Sequence, residues 1–222
     1  MLFSLHFFCI FVVFVIVIQD YRAKNRNFAH MNVAIVKYNA GNIRSVINAV
    51  KRLGVEPVLT DDAALLRQAD RVIFPGQGEA GSTMAYLREH GLDTVIKSLT
   101  QPVLGICIGM QLLCRHSEES DTECLGIFDV DVKRFQPTNH EEKVPQMGWN
   151  KVVPREDWLG KQNYFYFVHS YYVPLCNETA AVTEYTLPYS SALHKDNFFA
   201  TQFHPEKSGS VGEAILRNFI CN

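Results

Sequence analysis

The chain has 222 residues, 47% of them hydrophobic, and carries 21 basic against 23 acidic side chains for a formal charge of -2. That length and apolar share suit a single globular domain with a full core. A mixed, near-neutral charge excludes an electrostatic nucleic-acid surface and offers no long-range pull on a polyanionic partner.

Residues 2–18, LFSLHFFCIFVVFVIVI, are almost wholly apolar and are followed by Arg22, Lys24 and Arg26. The stretch is at the short end for a membrane-spanning helix, lacks the basic start of a signal peptide and precedes no A-x-A-like cleavage site. Inserted, it would leave its basic flank and everything after it in the cytoplasm. The other reading takes Met31, which opens MNVAIV, as the natural start, with residues 1–30 an upstream misreading of the start codon. The division expected is an apolar extension over residues 1–30 and one domain over residues 31–222.

From Asn32 the pattern is α/β. Val33–Val36 is a short apolar run that reads as a strand. The turn YNAGN (Tyr38–Asn42) follows, then Ile43, Val46, Ile47, Val50 and Leu53 at helical spacing. Gly54 closes that helix, Val58–Thr60 forms a second strand, and Asp61 caps a short helix through Gln68. Arg71–Phe74 is the next strand. It leads into PGQGEAGS (Pro75–Ser82), a glycine-rich loop before an amphipathic segment with Met84, Leu87, Leu92, Val95, Ile96 and Leu99. Pro102–Cys107 is another strand. The alternation predicts three layers: a mostly parallel central sheet with helices on both faces and the site at the carboxyl ends of the strands. After Glu119 the character changes. Gly126–Phe135, Trp149–Val153, Tyr164–Val173 and Ala180–Tyr185 read as strands joined by turns, an additional antiparallel portion. Ala200–His204 is a last strand entering the site, and Ser208–Ile220 closes the chain as a helix with Val211, Ile215 and Phe219 on one face.

The chemistry centres on PVLGICIGMQLL, Pro102–Leu113, whose Gly105–Gly109 is G-x-C-x-G. This is the thiol form of a nucleophile elbow, in which small flanking residues let a strained strand-to-helix turn present the nucleophile, here Cys107, at the start of a helix. The plain alternative is a packed cysteine at a strand end. A thiol nucleophile needs a base, and the base needs an orienting group. On an extended QFHPEKS (Gln202–Ser208), His204 and Glu206 project to the same face, so a carboxylate can hold an imidazole that faces Cys107. His169, in FVHSYY, is the competing base. It has no carboxylate two residues on, and its aromatic neighbours suggest a packed strand. For the developing oxyanion, backbone N–H groups of the Gly76–Gly78 loop and of Ile108 are the donors in reach, although P-G-x-G also makes a plain turn. The six cysteines form no C-x-x-C pair and no metal-ligand spacing, so no metal, cofactor or disulfide scaffold is expected and a reducing, cytoplasmic compartment fits.

PGQG, GICIGMQLL and HPEKS, in that order and at these spacings, resemble the class I triad-type glutamine amidotransferases from Met31 to the C-terminus. Within them YNAGN with Ser45, PQMGWN (Pro145–Asn150), YFYFVHSYY (Tyr164–Tyr172) and FHPEKS resemble the glutaminase subunits of imidazole glycerol phosphate synthase, a histidine-biosynthesis enzyme. The resemblance implies a catalytic triad of Cys107, His204 and Glu206, with Gly78 and Ile108 as oxyanion donors. It also implies glutamine recognition by Gln111, Glu119 and the backbone around Ser170 and Tyr171. A contact surface for a cyclase subunit, in a heterodimer, would fall at Asn42, Ser45, Trp149, Tyr166, His169 and Lys207. For Glu119 a solvated acidic run remains open, and for the aromatics ordinary core packing does.

Two features depart from the pattern. Gln77 stands where a small or β-branched residue is expected, followed by Glu79 and Ala80 rather than a His-Phe-like pair, and residues 1–30 have no role in the family's chemistry. Three rival readings remain: a triad glutaminase of another pathway, a noncatalytic binding protein of the same fold, and a membrane-tethered cysteine hydrolase.

Overall fold

The computed structural model describes residues 31–38, 41, 43–76, 78–138 and 142–221, so the 1–30 extension, Asn42 and Gln77 lie outside the described residues. Nine strands form one sheet in the order β2 (Val58–Thr60), β1 (Val33–Val36), β3 (Arg71–Phe74), β4 (Val103–Ile106), β13 (Phe198–Thr201), β12 (Pro188–Lys195), β11 (Thr179–Glu184), β8 (Gln146–Pro154), β9 (Asn163–His169). The first five are parallel neighbours, and from β13 onward every pairing is antiparallel. The antiparallel portion is thus a continuation of the central sheet. A second, four-stranded sheet takes the order β10 (Tyr171–Tyr172), β7 (Phe128–Arg134), β5 (Cys114–Ser117), β6 (Thr122–Glu123).

Buried parallel strands read as continuous apolar runs because both faces are covered. Along β1, Ala34 and Val36 join one core with Val72, Phe74 and Val103, beneath α2 (Ala63–Gln68), α3 (Ala80–Glu89) and α4 (Leu92–Lys97). Val33 and Ile35 join the opposite core with Ile73, Leu104 and Ile106, covered by α1 (Arg44–Arg52) and the closing helix α6 (Gly209–Cys221). A third core, under the antiparallel strands, holds Phe165, Phe167, Tyr189 and Phe203, with Ile215 of α6 closing it. Among the described residues no helix is long and apolar enough to cross a membrane.

Several boundaries differ from the sequence expectation for local reasons. Asp62, not Asp61, caps α2: its Oδ1 accepts from the N–H groups of Ala64 (2.7 Å) and Leu65 (3.0 Å), while Asp61 pairs with Lys37 at 3.2 Å. The Tyr164–Val173 stretch is broken into β9 and β10, because Phe135 N–H donates to the Ser170 carbonyl and draws the chain into the smaller sheet. β13 stops at Thr201, before the expected His204. Gln202 N–H turns to the Ser191 carbonyl and His204 N–H to the Tyr166 carbonyl, so this segment crosses from β13 to β9. β5 and β12 were not expected as strands.

The turn after β4 requires glycine by contact. A Cβ at Gly109 would sit 2.2 Å from the Phe74 carbonyl oxygen, and one at Gly76 would sit 1.8 Å from the Ile106 carbonyl oxygen. The ends of β3 and β4 therefore pack backbone against backbone. Gly109→Ala should lower stability by about 1–3 kcal/mol, the usual cost of an overpacked methyl, read as a drop in the urea midpoint at unchanged slope. An unchanged midpoint would mean that this contact yields freely.

Candidate active site

β4 ends at Ile106, and α5 (Ile108–Leu113) begins one residue later, leaving Cys107 alone between strand and helix at φ 52°, ψ -109°. Left-handed φ is costly for a side chain with a Cβ and persists only where the surroundings impose it. They do so here. Cys107 N–H donates to the Thr201 carbonyl at 2.7 Å, and its own carbonyl accepts from Met110 and Gln111 N–H at 3.0 and 3.2 Å.

The His204 segment is held as firmly from the other side. Residues Pro205–Lys207 form a single 3₁₀ turn, so Glu206 reaches back to His204 by a turn and not along an extended strand as expected. Ser208 Oγ donates to the His204 carbonyl at 2.6 Å and accepts from Tyr166 N–H at 3.0 Å. Gly212 of α6 lies so close that a Cβ would sit 1.9 Å from the Pro205 carbonyl oxygen.

His204 and Glu206 side chains are 2% and 1% exposed, and Nδ1–H donates to Glu206 Oε1 at 2.8 Å. Nε2 has no hydrogen-bond partner among the described residues and is the nitrogen left to face Cys107. Burial alone would lower the imidazole pKa. The facing Cys107 sulfur, and then Glu206, outweigh that and push His204 from its ordinary 6.5 up to about 10.

Cys107 and His204 open into a cavity of about 390 Å³ that is also lined by Gly78, Ile108, Gln111, Glu119, Ser170, Tyr171, His169 and Lys207. Every residue expected to hold glutamine or its oxyanion therefore meets the sulfur's cavity, with Glu206 behind His204. Gln111 Nε2 donates inward, to the Tyr171 carbonyl at 3.0 Å and to Gln202 Oε1 at 2.9 Å, which leaves Oε1 as the part of this amide able to meet a ligand. Glu119 Oε2 accepts from Ala80 N–H, the first residue of α3, at 2.8 Å. Burial raises the Glu119 pKa, the Ala80 N–H opposes the rise, and neighbouring Glu79 adds to it.

His169 is disqualified as the base by its surroundings. Nδ1–H donates to the Tyr171 carbonyl at 2.7 Å, and Nε2 faces the Tyr189 hydroxyl at 3.4 Å. Burial pushes its pKa down to about 4, so the ring is neutral at pH 7. At 5% exposure it also offers little to a partner surface. Trp149 is 57% exposed, with Met147 at 66% and Tyr164 at 57% beside it. Trp149 packs edge-on against Tyr166, and Lys207 lies over the Tyr166 ring at 5.9 Å, so this exposed ridge runs to the cavity rim. Ser45 lies apart, in a smaller hollow with Arg44, Asn48 and Arg52 behind Glu206. Sequence reasoning missed Gln202 and Val168, both of which touch the sulfur: Gln202 Nε2 at 3.6 Å and the Val168 carbonyl at 3.9 Å. Gln202 stood within QFHPEKS, but an amide carries no signature of chemistry by itself. Among the described residues no group of three or more potential metal ligands occurs.

Residues 34–222 match the model of the class-I glutamine amidotransferases. The chain belongs to this family. Over 194 residues it is 63% identical to imidazole glycerol phosphate synthase subunit HisH of Bacteroides thetaiotaomicron, covering 86% of this chain and 99% of that one. The HisH subunit of Pectobacterium atrosepticum is 45% identical over 196 residues, covering 86% and 99%. Among solved structures, a glutamine amidotransferase superposes with a TM-score of 0.67 at 21% identity, covering 85% of this chain and 97% of that one. PurLQS of Thermotoga maritima gives 0.63 at 15%, covering 85% and 97%. At those identities the two structures speak to the fold alone, which is that of a class I glutamine amidotransferase.

The amidotransferase's His204 stabilises the folded state through its raised pKa. That contribution is full below the unfolded value near 6.5 and is lost as pH rises through about 10. Cys107→Ala removes the strongest influence raising it, so NMR titration should place the His204 pKa in the variant clearly below that of the parent. Coincident titrations would show that the sulfur does not act on the imidazole.

Proposed function

We propose that this chain hydrolyses L-glutamine at Cys107 and delivers the ammonia to a cyclase subunit, as the glutaminase half of an imidazole glycerol phosphate synthase. The observation that carries the reading is the strained cysteine facing a buried His–Glu pair in one cavity, in a chain 63% identical to a HisH subunit.

Cys107 Sγ attacks the carboxamide carbon, and the tetrahedral oxyanion is met by the N–H groups of Ile108 and Gly78. His204, protonated at neutral pH by its raised pKa, gives its Nε2 proton to the leaving nitrogen, so ammonia departs and a glutamyl thioester remains. Water that gives its proton to His204 then cleaves the thioester to glutamate and frees the sulfur, leaving the imidazole protonated as before. Glu206 keeps Nδ1 protonated and Nε2 directed at the sulfur. Glu119, with one oxygen held by Ala80, has a carboxylate suited to the substrate ammonium. The substrate carboxylate needs donors, and the Ser170 and Tyr171 carbonyls, already satisfied within the protein, do not compete for them.

Ammonia released to water at neutral pH protonates and loses its nucleophilicity, which is the physical reason for a docked acceptor. The ridge of Met147, Trp149 and Tyr164, reaching the cavity rim through Tyr166 and Lys207, fits that contact. An exposed aromatic ridge of this kind is a typical binding hot spot. The resemblance adds to the proposed contact Ser45, in its separate hollow, and Asn42, outside the described residues. The cyclase would use the ammonia on a phosphoribulosyl formimino-carboxamide ribotide, yielding imidazole glycerol phosphate and an aminoimidazole carboxamide ribotide. Turnover is low alone and rises when the cyclase, carrying its own ligand, supplies the cavity's second wall. The cysteines of the described residues are free, which fits a reducing compartment such as the cytoplasm.

Glutamate release from glutamine, measured with and without the cyclase and its nucleotide ligand, tests this. Turnover should depend on the partner and vanish in Cys107→Ala. His204→Ala should lower it by roughly 10²–10⁴-fold, the usual worth of a general base. Trp149→Ala should raise the cyclase concentration needed for half-stimulation by roughly tenfold or more. Turnover indifferent to the cyclase would reassign the pathway, and turnover surviving in Cys107→Ala would remove the mechanism.

A further inference from the structure

Gln202 is 0% exposed and lies between two residues of the site. Its orientation can be deduced. The Tyr171 carbonyl only accepts, so the end of the Gln111 amide facing it at 3.0 Å is the nitrogen. The same nitrogen has a second N–H, directed at Gln202 2.9 Å away, and an NH₂ group cannot accept from it, so the facing atom is Gln202 Oε1. That leaves Gln202 Nε2 pointing at Cys107 Sγ, 3.6 Å away. Reversing the Gln202 amide would set two NH₂ groups against each other in a buried space and turn a carbonyl oxygen on the sulfur.

A second protein group at the sulfur is the Val168 carbonyl, at 3.9 Å, an acceptor suited to an S–H and repelled by a negative sulfur. These two neighbours therefore discriminate oppositely between a thiol and the charged nucleophile. A donor gains most against charge, where hydrogen bonds are roughly twice as strong as between neutral groups.

We infer that Gln202 is a positioning residue for the nucleophile, holding the Cys107 sulfur in its charged, attacking form by an amide N–H whose direction is imposed by Gln111. This rests on the reading of Cys107 as the nucleophile and extends it. Gln111 also lines the cavity, so the amide that meets the substrate is the one that aims the donor at the sulfur. His204 faces the same sulfur from beyond β13 and handles the proton, and Gln202 acts only on the sulfur's position and charge.

The test uses the full chain with two readouts: kcat and KM for glutamine in the presence of the cyclase, and the rate of Cys107 alkylation by iodoacetamide at fixed pH. Gln202→Met keeps the length and removes the donor. It should lower kcat and the alkylation rate together by roughly 10- to 100-fold, the worth of a hydrogen bond to a charged group, with KM changed less than about threefold. Gln111→Met leaves Gln202 in place with its amide unpinned. It should slow alkylation in the same direction but less, by roughly 2- to 10-fold on the same scale, which keeps the inference testable should Gln202→Met fail to fold. A merely structural role would lower the melting temperature and leave alkylation of the folded protein at the parent rate. Folded variants that alkylate as the parent does would overturn the inference while leaving the glutaminase reading intact. Alkylation needs no turnover, so it reads the sulfur's surroundings even if the parent releases no glutamate and the glutaminase reading itself fails.

Discussion

Cys107 sits at φ 52° and ψ -109°, a backbone state that costs a residue with a Cβ on the order of 1–3 kcal/mol. Much of the fold can be understood as what holds it there. Gly76 and Gly109 let the ends of β3 and β4 touch backbone to backbone, at separations where any side chain would collide. Gly105 does the same against the first turn of α5. Parallel pairing of β4 with both β3 and β13 fixes the height at which the strand ends, and the bond from Cys107 N–H to the Thr201 carbonyl locks that end to its neighbour. The cysteine reaches the cavity because the chain around it has no other place to go.

The second half of the sheet supplies what the first half lacks. β9, at the far edge, gives the Tyr166 carbonyl to His204 N–H and its Tyr166 N–H to Ser208 Oγ, so the imidazole is placed by a strand that is antiparallel and distant in sheet order. α6 presses Gly212 against the Pro205 carbonyl from the opposite side. The His204–Glu206 pair is thus clamped between strand and helix, buried enough that its polarity is directed at the sulfur and not at water. The site is a meeting of two halves of one sheet, and the His204 turn is the joint.

The parallel half was legible because its strands are continuous apolar runs and its helices carry apolar residues at helical spacing, as in Val46, Val50 and Leu53. The reacting groups were legible because thiol, imidazole and carboxylate are scarce types in tight local patterns. What escaped depended on contacts far apart in the chain or on diluted signals. Cys114–Ser117 carries Arg115 and His116 and does not read as a strand, yet it pairs beside Phe128–Arg134. Pro188–Lys195 opens with proline and contains two serines, both buried. The Asp61 cap was off by one residue because both positions hold the same side chain. Gln202 meets Gln111 across 91 positions, and nothing local distinguishes either amide from a solvated one.

The most direct test of the central claim is to trap the covalent intermediate. The chain, with its cyclase partner, is mixed with labelled glutamine and quenched in acid, and the adduct is located by peptide mass. The account predicts one glutamyl group, labile to hydroxylamine as a thioester is, on the peptide containing Cys107. Glutamate production with no adduct on Cys107, or with the adduct on another residue, would contradict it.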